Sequence, residues 1–150
     1  MKNIFWLFII ILALFSCRPK QKVNESLQKQ VDSLQTALNN VYKPGFGESM
    51  NLIHHHFTEI WQAGKDENWK YAAFEIHEMK EAVENIEKYQ KGREEVSQLI
   101  MFDAPVDSLI LSVKNHNQKT FSKNYKKLLH TCNACHLKTK YEFIQIKMPE

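Results

Sequence analysis

The chain has 150 residues, 43% of them hydrophobic and 25% charged, with a formal net charge of +3. That length suits one compact domain and is short for two. So small a net charge, with no block of Lys and Arg, excludes a nucleic-acid-binding stripe.

The N-terminus reads Met1-Lys2-Asn3, then an unbroken apolar run from Ile4 to Phe15. One positive charge before a short apolar stretch is the pattern of an export signal. The run is shorter than the roughly 20 apolar residues of an ordinary membrane span. It closes in Leu14-Phe15-Ser16-Cys17, which resembles the bacterial lipobox. The resemblance implies that residues 1–16 are a lipoprotein signal peptide and that Cys17 carries lipid after cleavage. The domain is then anchored to a membrane on the periplasmic side of a bacterial cell envelope. An uncleaved anchor helix is the alternative, and it tethers the domain in the same compartment.

Residues 17–47 form the lipidated N-terminus and a stalk. Leu27, Val31, Leu34, Leu38 and Val41 step by four and three, which makes a helical stripe. A short coiled coil, a helix laid on the domain and a solvated tether all fit that stripe. Lys43-Pro44-Gly45-Phe46-Gly47 then interrupts it and marks the boundary of a domain over 48–150.

Glycine and proline are scarce, at four each, and helix-favouring residues abound. The first domain helix is predicted over about 48–63, stopping at Gly64. The second runs from about Asp66 to Lys91, with Ala72, Ile76, Met79, Val83 and Ile86 on one face. Residues 93–102 extend that hairpin or make a short helix. The third helix starts at Asp103, with Pro105 in its first turn, and reaches about Asn115. The fourth covers about Lys119 to Leu137, with Phe121, Tyr125, Leu128, Cys132 and Cys135 sharing the apolar face. Only Tyr141–Ile146 alternates like a strand. The expected class is all-α: four amphipathic helices with short connections predict a four-helix bundle, a fold that holds cofactors between facing helices.

The last helix carries Cys132-Asn133-Ala134-Cys135-His136, the C-x-x-C-H spacing of c-type haem attachment. Each thiol can add to one vinyl group, and the His that follows can ligate the iron. A redox dithiol wants a βαβ context that is missing here. A zinc site wants a second ligand pair. With Cys17 assigned to lipid, the odd count of three cysteines is accounted for.

This motif on the last helix of a helical bundle resembles the cytochrome c′ and c556 family, related to cytochrome b562. Most small cytochromes c carry the motif near the N-terminus. The resemblance covers about residues 48–140. It implies a single covalent haem c held by Cys132 and Cys135, with His136 as proximal ligand. It also implies periplasmic single-electron transfer, or binding of NO and CO at an open iron. In low-spin members a Met near the start of the first bundle helix is the sixth ligand, and Met50 matches it. The anchor and stalk, the run His54-His55-His56, and the register of the basic residues after the motif depart from the family.

A helical wheel ranks the distal candidates. Leu52, Ile53, Phe57, Ile60 and Ala63 define the apolar face, with Trp61 near its edge. Met50 and His56 each lie about 60° from its centre, His54 about 100°, and His55 on the solvent side. Met50 and His56 are therefore the better candidate sixth ligands, His54 is a further candidate, and an apolar distal side led by Ile53 or Phe57 would leave the iron five-coordinate. His77, His116 and His130 read as surface or satisfied polar residues. Trp61, Trp69, Phe74 and Tyr125 read as core and haem-packing aromatics. No nucleophile–base pair stands out, so the expected role is a carrier and not an enzyme. Its partners are redox proteins and the membrane, with a homodimer as a further expectation. A non-haem lipoprotein binding a metal or a protein is the alternative from another class.

Overall fold

The computed structural model describes residues 20–41 and 44–150. The signal segment 1–16 and Cys17 lie outside the described residues. The chain divides into two compact units, Met1–Lys43 and Pro44–Glu150. Every regular element described is helical.

In the first unit, helix α1 spans Lys20–Val41. Its stripe residues Leu27, Val31, Leu34, Leu38 and Val41 are all exposed.

The second unit holds α2 (Phe46–Lys65), α3 (Trp69–Tyr89), a 3-10 segment (Glu94–Phe102), α4 (Asp103–Lys114) and α5 (Gln118–Lys138). Helix α2 packs on α3, and α4 on α5, as two hairpins. Both hairpins turn by the same chemistry. After α2, Glu67 takes φ 54°, and the N–H groups of Glu67 and Asn68 return to the carbonyls of Gly64 and Ala63. Asn68 then caps α3, its side chain accepting from the Tyr71 N–H at 3.3 Å. After α4, His116 takes φ 48°, and His116 and Asn117 bond back to Val113 and Ser112. Asn117 caps α5 by accepting from the Thr120 N–H at 2.9 Å. Each turn thus joins a Schellman stop to an Asn N-cap. Gly64 does not end α2. It faces Phe121, and a Cβ there would collide with that ring.

One core joins the four α-helices and the 3-10 segment. Ile53, Phe57 and Ile60 meet Ala72, Ile76, Met79 and Ile86 from α3, Leu99 and Phe102 from the 3-10 segment, and Val106, Leu109 and Val113 from α4. From α5 come Phe121, Tyr125, Leu128, Cys132 and Cys135. Full burial of each larger apolar side chain contributes about 1.5–3 kcal/mol. Tyr125 satisfies its hydroxyl by donating to the Phe57 carbonyl at 2.8 Å. Among the described residues, one helical stretch, Glu94–Lys114, is apolar and long enough to cross a membrane. One face of it, Leu99, Phe102, Val106, Leu109 and Val113, packs into this core, while Ile100, Ile110 and Leu111 stay exposed.

Two expectations differ from the structure. Tyr141–Ile146 forms no strand: the Tyr141 and Ile144 N–H groups make local turn bonds to His136 and Tyr141, and the side chains of His136 and Asn133 meet the backbone of Ile144 and Ile146. Phe74 is 53% exposed and stacks on Tyr71 at the surface, not in the core.

Candidate functional site

A cavity of about 580 Å³ opens between the first half of α2, the 3-10 segment, the end of α5 and the tail after it. That volume lies within the range of about 300–1,000 Å³ typical of cofactor and ligand sites. Ile53, Phe57, Leu99 and Phe102 give it an apolar wall. The sulfur-bearing wall is α5. Cys132 and Cys135 stand about one turn apart and therefore share a helix side, and His136 follows Cys132 by four. All three line the cavity.

Both thiols are free and buried. Burial pushes the Cys132 thiol up to about 12, with Cys135 beside it adding to the shift. Burial also raises Cys135, against the opposing pull of Lys138. The pair is held as neutral thiols.

His136 is aimed by its own hydrogen bond. Its Nδ1 lies 2.8 Å from the Ile144 carbonyl. A carbonyl only accepts, so Nδ1 carries the proton and Nε2 keeps its lone pair for a metal. Ligating histidines are commonly fixed in this way. The tail that supplies the carbonyl is held firmly. Asn133 Nδ2 donates to the Ile146 carbonyl at 2.9 Å, and the Ile146 N–H donates to Asn133 Oδ1 at 2.8 Å. Gln62 and Lys65 donate to the Glu150 carbonyl at 2.7 and 3.2 Å. The tail therefore straps across the end of α5, and Tyr141, Ile144 and Ile146 complete the cavity wall.

A polar corner closes the site. Arg93 Nη2 donates to Glu95 Oε1 at 2.7 Å, and the Tyr141 hydroxyl donates to the same oxygen at 3.0 Å. The guanidinium holds the Glu95 carboxyl below its usual range, and it sits over the Phe46 ring at 4.4 Å. Sequence spacing gave no sign of this corner, because Phe46 and Tyr141 lie far in sequence from Arg93 and Glu95.

Opposite α5, Met50 lines the cavity half-buried and His54 lines it at the exposed mouth. His56 does not reach it. Its Nδ1 contacts Glu75 Oε2 at 2.7 Å, and both side chains are largely buried. The helical wheel ranked His56 with Met50 by distance from the centre of the apolar face, but the two lie on opposite sides of that centre. One flank of α2 faces the cavity and the other faces α3. His54, one turn after Met50, belongs to the cavity flank. His55 and His130 are exposed, His77 contacts Glu81 at 3.1 Å on the surface, and His116 stacks on Trp69.

Among the described residues no group of three or more His, Cys, Asp or Glu side chains is gathered to hold a bare metal ion. The donor set at the cavity is two neutral thiols and one oriented imidazole beside a large apolar space. It fits a planar apolar cofactor that bonds covalently to sulfur and accepts one axial nitrogen. No family model, curated protein or solved structure matches the chain significantly.

Proposed function

We propose that the second unit is a four-helix-bundle monohaem c-type cytochrome that carries single electrons. We further propose that Cys17 tethers it by lipid to a bacterial envelope membrane, on the periplasmic side. One observation carries the haem reading: a single apolar cavity receives Cys132, Cys135 and an His136 whose Nδ1–H is already engaged. Cys132 and Cys135 would hold the group through two thioethers, and His136 Nε2 would be its proximal ligand. When bound, haem supplies an iron that cycles between two oxidation states by one electron.

The protein's part is orientation and exclusion of water. The Ile144 carbonyl fixes the orientation of the His136 ring. Ile53, Phe57, Leu99 and Phe102 keep the site apolar. Met50 faces it from α2 and is the proposed sixth ligand, a thioether that favours reduced iron.

The test is the visible spectrum of the full chain, produced with haem-maturation proteins and recorded oxidised, reduced, and reduced under CO. A covalent haem spectrum, lost in Cys132→Ala/Cys135→Ala, is expected. It should be low-spin and unmoved by CO, and Met50→Ala should open it to CO while His56→Ala does not. A CO-sensitive spectrum in the unaltered chain would favour gas binding. Colourless protein would overturn the haem reading and leave the non-haem lipoprotein.

A further inference from the structure

We infer that α1 is the pairing helix of a parallel homodimer, with a second copy of this chain covering its apolar stripe. The inference is independent of the haem reading, since the pairing residues all lie in the first unit, but it rests on the proposed membrane tether for the effective concentration of the two copies.

The stripe is long, regular and uncovered. Leu27, Val31, Leu34, Leu38 and Val41 are 51–79% exposed on one 22-residue helix. Their steps of four and three are the a and d seam of a coiled coil. Val31 and Leu38 take a positions, and Leu27, Leu34 and Val41 take d positions. Val31 at a with Leu27 and Leu34 at d is a combination that favours two strands, while Leu38 at a and Val41 at d reverse it in the last half-heptad.

Charge placement suits a partner identical to the helix itself. The positions flanking the seam are Gln28, Gln30, Gln35 and Ala37. None is ionised, so two copies side by side bring no like charges together. Glu25, Lys29 and Asp32 fall on the outer positions, where water reaches them in a dimer. A charged partner would find no complement along this seam.

Asn24 decides the direction. It precedes Val31 by seven residues and so occupies an a position. In a parallel, in-register pair Asn24 meets Asn24 of the other copy, and each carboxamide both donates and accepts. In an antiparallel pair it would face an apolar d residue and be buried without a partner. A single Asn at an a position is a known device for fixing two-stranded register. The seam covers under three heptads, which is marginal for free peptides. Confinement of both chains to one membrane would raise their effective concentration.

The test uses the full chain in membranes of expressing cells, exposed to oxidised glutathione. Leu27→Cys should give an interchain disulfide dimer, because a parallel register sets the two thiols side by side near one end. Adding Leu34→Lys should abolish that dimer, since it puts a charge into the seam. Leu34 is 70% exposed, so the core of the second unit is untouched, and an unchanged far-ultraviolet circular dichroism spectrum would check this. The unaltered chain should form no such disulfide. Monomeric Leu27→Cys under oxidant would overturn the inference, as would a dimer that survives Leu34→Lys.

Discussion

Cys132 is a buried thiol whose usefulness depends on what bonds to it. Without a partner it is a proton held tightly by an apolar wall. Folding raises its pKa from an ordinary 9.0 to about 12, so the folded chain keeps that proton more firmly than the unfolded chain does. The preference supports the fold fully below about pH 9 and is lost as pH climbs from 9 toward about 12. The haem-free chain should therefore weaken in alkali, read as a falling urea midpoint between neutral pH and about pH 10.5. The share due to Cys132 is the part that disappears in Cys132→Ala, which separates it from Tyr125, also raised by burial. An equal pH dependence in that variant would contradict the assignment. The motif itself was readable from five consecutive residues, because its spacing encodes its chemistry. His54 and His56 were harder. A wheel measures distance from the apolar face but not which neighbour lies on each flank, and Glu75 of α3 is what draws His56 away.

Helix ends show the same division between local and tertiary information. The helices appear near their expected places because four-three periodicity is local. Their stops are less readable, since Glu67, His116 and Lys140 occupy the left-handed region where glycine is the usual signal. Lys140 ends α5 as the other two end their helices: its N–H and that of Tyr141 return to Leu137 and His136. The nearby glycine serves packing instead, since Gly64 gives room to Phe121. Two substitutions of opposite sense follow from this. Gly64→Ala should destabilise by about 1–3 kcal/mol, the usual cost of overpacking. Glu67→Gly should stabilise by about 1 kcal/mol, by relieving a left-handed residue that has a Cβ. Chemical denaturation of both variants checks the pair, and a stabilising Gly64→Ala would mean that Phe121 yields freely. The tail was misread because alternation alone cannot show whether an edge is available to pair with. Asn133 takes the place of one, bonding both backbone groups of Ile146.

The second unit is unevenly packed, and that unevenness ties stability to cofactor. Toward the α2–α3 and α4–α5 turns, Phe57, Trp61, Phe121 and Tyr125 pack ring against ring in the core, and the groove of about 510 Å³ at that end lies outside them, between α3 and α4. Toward the start of α2 and the end of α5, the same helices line the 580 Å³ cavity together with the 3-10 segment and the tail. Periodicity could place each residue on a face, but it could not reveal this cavity. The gap depends on the 3-10 segment and the tail, which carry weak patterns. Ile53, Phe57, Leu99 and Phe102 are already buried, but Phe46, Met50, Ile144 and Ile146 line the cavity while still partly exposed, and a haem would cover them. Covering these four partly exposed side chains is worth about 3 kcal/mol, or about 10 °C in Tm for a domain of this size. The haem-loaded chain should therefore melt at least about that much higher than Cys132→Ser/Cys135→Ser. Hydrogen exchange should place the difference. Protection should fall in the first turns of α2, the 3-10 segment and the tail of the cysteine-free chain, while α3 and α4 stay protected. Equal melting and uniform protection would mean that the cavity is not built around a cofactor.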